Sequence, residues 1–202
     1  MTGHHFVVLE GGEGSGKTTQ VTRLVTRLRA DGHEVVETFE PGATALGARI
    51  RDALLHAEGR LDARAELLLV AADRAQHVEE VIAPALARGA IVVCDRYTPS
   101  TLAYQGRGRG MPLDVIDDIS HFAEGDIAPD VVVVLDVGDD VARQRASSTP
   151  DRLERAGDEF HATVRAAYRE LAVTHGWVVV DANGPADDVE AKIWAAVAPY
   201  VS

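Results

Sequence analysis

Five short apolar runs, Phe6–Leu9, Glu34–Phe39, Ala90–Cys94, Val131–Leu135 and Trp177–Val180, punctuate the 202-residue chain. Four of them are continuous and Val-rich, without alternation, which is how strands read when helices cover both faces. The stretches between them keep helical spacing: Leu46, Ile50 and Leu54 form one stripe, and Leu68, Ala72, Ala75 and Ile82 another. This alternation predicts an α/β fold, a doubly wound, five-stranded parallel sheet flanked by helices. Pro84 is expected to kink or restart a long helix over residues 62–88. No repeat, low-complexity tract or linker divides the chain, so one domain over 1–202 is expected. A domain of that size buries roughly 70% of the surface its unfolded form exposes.

The formal net charge of −12 makes the long-range field repulsive to nucleic-acid polymers and anionic membranes. Small anionic ligands remain open, because a local cluster of Arg and Lys overrides the net field at short range. The one cysteine, Cys94, lies in an apolar run, which removes disulfide frameworks and cysteine-based metal sites. No apolar run approaches the ~20 residues of a membrane span, and the first residues lack a charged segment followed by an apolar one. A soluble, cytoplasmic protein is expected. The basic, glycine-rich tract Gln105–Gly110 and the segment 146–151 read as loops.

The stretch Leu9-Glu-Gly-Gly-Glu-Gly-Ser-Gly-Lys-Thr-Thr19 carries the strongest chemical signal. Gly11, Gly16, Lys17 and Thr18 satisfy G-x-x-x-x-G-K-[ST], with a strand before and a helix after. Gly11, Gly12, Gly14 and Gly16, with Ser15 among them, let backbone N–H groups turn inward around a phosphate. The helix starting near Lys17 adds its positive end. Lys17 supplies a mobile charge for the β- and γ-phosphates, and the Thr18 hydroxyl can ligate Mg²⁺. By itself this pattern means only that a nucleoside triphosphate is bound.

The third run ends Cys94-Asp95-Arg96-Tyr97. Ligands of doubly wound sheets collect at the carboxyl ends of strands, so Asp95 and Arg96 should face the same crevice as the cradle. Asp95 there holds Mg²⁺ through water, or simply caps a helix; Arg96 grips a phosphate with its planar fork, or is solvated.

The residues beyond Tyr97 narrow the pattern to one family. Asp95-Arg-Tyr-x-x-Ser100-x-x-Ala103-Tyr104-Gln105 matches the thymidylate kinase pattern D-R-[YH]-x-x-S-x-x-A-Y-Q residue for residue. Glu10 before the cradle, Glu40-Pro41-Gly42, Ala71-Ala72-Asp73-Arg74 and Asp151-Arg152-x-Glu154 match further family motifs in the correct order. The chain therefore resembles the thymidylate kinase family, bacterial type, and the resemblance spans almost the whole sequence. It implies Mg²⁺-dependent transfer of the γ-phosphoryl group of ATP to dTMP, giving dTDP and ADP, by a homodimer.

The same resemblance assigns roles. Arg96 and Arg51 bind the monophosphate, Arg74 reads a thymine carbonyl with Gln105 as a second base contact, and Tyr104 packs on the deoxyribose. Glu40 and Ser100 belong to the same acceptor pocket. A buried Arg74 needs a partner, supplied by Asp73, by another nearby acid, or by the ligand. Glu13, inside the cradle, would be repelled by ATP; in the family its match contacts the acceptor's 3′-hydroxyl. The cradle lacks the arginine that some relatives carry there, so the cation at the transition state is expected from a lid of about 145–155. Arg145 and Arg152 flank that lid; Arg152 is the main candidate, and Arg145 alternatively supports adenine.

Two positions depart from the family. Its R-E-P-G reads Phe39-Glu-Pro-Gly here, and the aromatic residue expected four positions before Arg74 is Val70. Transfer is expected to be direct, since no Ser–His or Cys–His pair with nucleophile spacing is evident and the acceptor phosphate is already ionised. Catalysis then reduces to alignment and charge stabilisation by Lys17, Arg96, Arg152 and an Asp95-anchored metal.

Overall fold

The computed structural model describes residues 5–57, 59–145 and 151–201. Five strands, β1 (Phe6–Glu10), β2 (Val35–Phe39), β3 (Ile91–Asp95), β4 (Val131–Asp136) and β5 (Val178–Asp181), lie within one or two residues of the expected runs. All pairings are parallel, in the order β2-β3-β1-β4-β5. β1, β3 and β4 occupy the centre and are buried almost throughout. The edge strands are not: Val179 in β5 is 45% exposed although its run is as apolar as the others.

Alternate residues of the central strands feed two separate layers. Phe6, Val8, Val92 and Val134 pack on one side with Leu67, Ile82, Ile116 and Tyr168. Val7, Leu9, Val93 and Val133 pack on the other with Val21, Leu24, Leu28 and Ile193. Val21, Leu24, Val25 and Leu28 have the i, i+3, i+4, i+7 spacing that turns one face of α1 (Lys17–Ala30) onto the sheet. α9 (Ala186–Val197) joins α1 in that layer through Val189, Ile193 and Val197.

α2 (Ala45–His56) is capped by the Thr44 hydroxyl, which accepts from the Gly47 N–H. It buries Ile50 and Leu54 as expected, whereas Leu46 is 47% exposed. The long helix is broken as Pro84 demands: α3 (Ala63–His77) passes into a π-helical turn, Val78–Ile82, and restarts as α4 (Ala83–Ala87) with the proline in its first turn. Of the expected stripe, Ile82 is buried in the core, but Leu68, Ala72 and Ala75 face outward, while Glu66, Asp73, Arg74 and His77 are buried. Apolar spacing located a face correctly but not its direction, because the inward side of α3 serves a cleft that needs charged groups.

The tract expected as a loop, Gln105–Gly110, is mostly helical. α5 (Thr98–Thr101) runs into a second π-helical turn, Leu102–Gly108, in which the Arg109 N–H donates to the Tyr104 carbonyl. α6 (Leu113–Glu124), α7 (Asp139–Arg145) and α8 (Asp158–His175) complete the helices. Among the described residues no helix is long and apolar enough to cross a membrane.

Candidate active site

The carboxyl ends of β1, β2 and β3 open onto one cleft of about 480 Å³. It is lined by Glu13, Lys17, Thr18, Glu40, Arg51, Val70, Arg74, Asp95, Arg96, Ser100, Tyr104 and Gln105. These residues lie as far as 92 positions apart in sequence (Glu13 to Gln105). Parallel strands bring them together because each ends at the same edge.

The cradle folds as its glycines allow. Gly11 has φ 143°, and a Cβ there would stand 2.5 Å from the Leu135 carbonyl oxygen. Gly14 (φ 70°) presses on the backbone of Ala142 in α7. Gly16 (φ 87°) turns the chain into α1. Lys17 lies across the loop, its Nζ donating to the carbonyls of Gly11 (2.9 Å) and Gly12 (3.1 Å) and to Ser15 Oγ (3.4 Å). Burial, and secondarily the positive charge of Arg96, pull its ammonium down to about 8. Asp95, Glu10 and Glu13 offset that effect only in part, so a bound anion would stabilise the charged form further.

Thr18 Oγ1 donates to Asp95 Oδ2 at 3.3 Å. Asp95 Oδ1 is buried without a hydrogen-bond partner among the described residues. Two hard oxygen donors side by side, one with an unused lone pair, suit Mg²⁺ held mainly by water and phosphate.

Arg96 is the one non-glycine residue with positive φ among the described residues, at 72°. That conformation costs on the order of 1 kcal/mol or more. It turns the side chain back over the cradle: Nη1 donates to the Gly11 carbonyl (3.2 Å), Ser100 Oγ (3.1 Å) and Tyr168 Oη (3.4 Å), and Nη2 to Tyr104 Oη (3.3 Å). Beneath it Glu10 is fully buried. Its Oε1 accepts from the Tyr97 and Ser100 N–H groups, and its Oε2 from the Ser100 and Tyr168 hydroxyls. Burial nevertheless holds its carboxyl above the ordinary range.

On α3, Arg74 is 1% exposed and finds its partner in Glu40. Its Nε and Nη2 each lie 2.9 Å from Glu40 Oε2, and Nη2 also donates to Thr101 Oγ1 at 3.0 Å. The guanidinium stands over the Tyr97 ring, 4.8 Å from its centroid. Nη1 has no partner among the described residues, so the acid and a ligand can both be served. Asp73 is not the partner: its Oδ1 accepts from the Gly42 N–H at 3.0 Å. Gln105 Nε2 donates to Glu66 at 2.8 Å, and Val70 lines the same wall four residues before Arg74.

Arg51 donates to the Pro41 carbonyl at 2.7 Å, with its guanidinium 5.7 Å from the Phe39 ring. Phe39, where the family carries arginine, thus supports a cation rather than adding one. Glu13 lines the cleft, 3.6 Å from His161 Nε2 in α8.

The two arginines expected to flank a lid separate. Arg145, in α7, lies beside Gly16 and donates to the carbonyls of Ala182 (3.1 Å) and Gly184 (3.5 Å). Arg152 donates to Glu66 Oε2 (2.7 Å) and to the Leu54 carbonyl (2.6 Å). Residues 146–150 of the expected lid lie outside the described residues. Several partners carried no sequence signal: Glu66, which collects Gln105, Arg109 and Arg152; Tyr168; and Arg165, which pairs with Asp139 at 2.7 Å and packs on Gly12. They come from helices α3 and α8, at positions ordinary helical spacing does not mark.

The thymidylate kinase family model matches residues 9–193. A thymidylate kinase of Deinococcus radiodurans is 47% identical over 196 residues, covering 95% of each chain. One from a Synechococcus strain is 48% identical, covering 96% of this chain and 95% of its own. The crystal structure of thymidylate kinase from Ehrlichia chaffeensis superposes with a TM-score of 0.79 at 32% identity, over 96% of this chain and 97% of that one. With these likenesses running through cradle, cleft and sheet alike, the chain belongs to the thymidylate kinase family.

Proposed function

We propose that this chain transfers the γ-phosphoryl group of ATP to dTMP, with Mg²⁺ as cofactor, in one direct step. The observation that carries the reading is the juxtaposition of two cation-lined halves in one cleft. Lys17 and the cradle lie on one side, Arg74 with its unused Nη1 on the other, and Arg96 between them. ATP occupies Gly11–Thr18, with Arg145 near its base; Thr18 and Asp95 would hold Mg²⁺, which would supply positive charge to the transfer. dTMP lies against Arg51, Val70, Arg74, Tyr104 and Gln105, with Ser100 and Glu40 holding Arg96 and Arg74 in place. Glu13 reaches the acceptor sugar.

Two phosphate groups repel as they approach, and the work of the site is to make that approach tolerable. Arg96 spans the gap because its guanidinium already touches the cradle carbonyl of Gly11 and the Tyr104 hydroxyl. Arg152 supplies further charge once substrate replaces Glu66 as its partner. Residues 145–155 act as the lid of a single kinase unit over 1–202.

A homodimer is part of this reading. Leu68 on α3 is 58% exposed, and on its neighbour α6 Val115 and Phe122 are 42% and 91% exposed. Two adjacent helices with outward apolar residues suit burial against a second copy. A reducing, cytoplasmic setting suits the buried free thiol of Cys94. Coupled ADP release across dTMP, dUMP and dCMP tests the assignment. It predicts the highest kcat/KM for dTMP; comparable turnover of dCMP, or none with any monophosphate, overturns it.

A further inference from the structure

Behind Arg74 lies a buried series of polar groups that the transfer itself does not use. Glu40 gives Arg74 only one of its carboxylate oxygens; the other, Oε1, lies 2.9 Å from Nδ1 of His77. His77 is completely buried, at the last turn of α3, and its Nε2 lies 2.6 Å from the Thr38 hydroxyl on β2. A carboxylate only accepts, so Nδ1 carries a hydrogen and donates to Glu40, while Nε2 shares the other contact with the Thr38 hydroxyl. Among the described residues each link of this series has a partner except Arg74 Nη1.

We infer that His77 is a positioning residue for base recognition: by fixing the Glu40 carboxylate from behind, it aims the unpaired Nη1 of Arg74 at the acceptor base. This rests on the proposed function and names the device that sets its pyrimidine selectivity. Without a donor at Nδ1, Glu40 keeps only its Oε2 contacts to Arg74, and a turn of the carboxylate draws the guanidinium away from its Thr101 contact. With it, the carboxylate is pinned between two helical turns and a strand. A fixed N–H donor distinguishes thymine, which offers a carbonyl at that edge, from cytosine, which offers an amino group. A merely packed histidine would matter for folding and not for that choice.

The test is steady-state kinetics of His77→Phe and His77→Asn with dTMP, dCMP and ATP. The asparagine amide can donate to Glu40 from the place of Nδ1; phenylalanine cannot. His77→Phe should raise the KM for dTMP about tenfold or more and shrink the dTMP-over-dCMP preference by a similar factor. Its kcat and its KM for ATP should stay near wild type, and His77→Asn should recover most of the loss. If His77→Phe does not fold, Thr38→Val decides, with the same effects at about threefold or more. Unchanged dTMP KM and preference in the deciding variant would overturn the inference. So would an equal rise in the ATP KM, or a His77→Asn no better than His77→Phe. Wild-type protein inactive on dTMP would instead sink the proposed function, a separate outcome visible before any variant is made.

Discussion

Arg96 donates to the carbonyl of Gly11 at 3.2 Å, so the arginine that follows β3 leans directly on the first glycine of the cradle. The contact exists because Arg96 accepts a left-handed backbone at the end of β3. Both nitrogens of its fork are used, one toward the cradle and Ser100, the other toward Tyr104. Arg96→Lys keeps the charge and loses the fork, so kcat/KM for dTMP should fall by about a hundredfold or more. Steady-state kinetics against wild type checks this; a loss within threefold would mean that charge alone suffices.

Val70 leaves the base wall without an aromatic surface, although it lines the cleft beside Arg74. Val70→Phe should lower the KM for dTMP by about 2- to 10-fold, the equivalent of ~0.5–1.5 kcal/mol of ring contact, with kcat little changed. A raised KM would show that the wall has no room for a ring.

Arg152 is bound to Glu66 and the Leu54 carbonyl, away from the cradle. If substrate takes over from Glu66, Arg152→Ala should reduce kcat by about 10³-fold while the KM for ATP stays within a few-fold. A normal kcat with a raised dTMP KM would confine Arg152 to binding the acceptor.

Asp73 gives a stability prediction whose sign can be worked out. Burial, and after it the charge of Glu40, lift its carboxyl from 3.8 to about 6. The native state therefore holds this proton more tightly than the unfolded chain. The contribution is full below 3.8 and is lost as pH rises through about 6. Asp73→Asn mimics the protonated form and keeps an acceptor for the Gly42 N–H. Its urea midpoint should gain on wild type between pH ~4 and about 6 and level off above that. A gap independent of pH would mean that Asp73 is ionised at little cost.

Much of this molecule was legible in its residues. The strands were, because three of the five are buried on both faces and only apolar runs survive there. The cradle was, because its glycines answer to a backbone requirement: Gly11 at φ 143° faces the Leu135 carbonyl. The inward face of α3 was not. Leu68, Ala72 and Ala75 mark an apolar stripe that faces outward, and the buried side carries Glu66, Asp73, Arg74 and His77. Buried charges announce themselves only through partners, and Glu40 lies 34 residues from Arg74. The two π-helical turns were hidden for a similar reason, since each depends on what the turn packs against.

Turnover with dTMP and ATP in Lys17→Ala and Arg96→Ala, each made separately and each verified as folded by circular dichroism, decides whether fixed charge is what lets the two nucleotides meet. Positive groups held on both sides of the phosphates predict that either variant loses nearly all activity while its secondary structure is retained. Undiminished turnover in either one would contradict it.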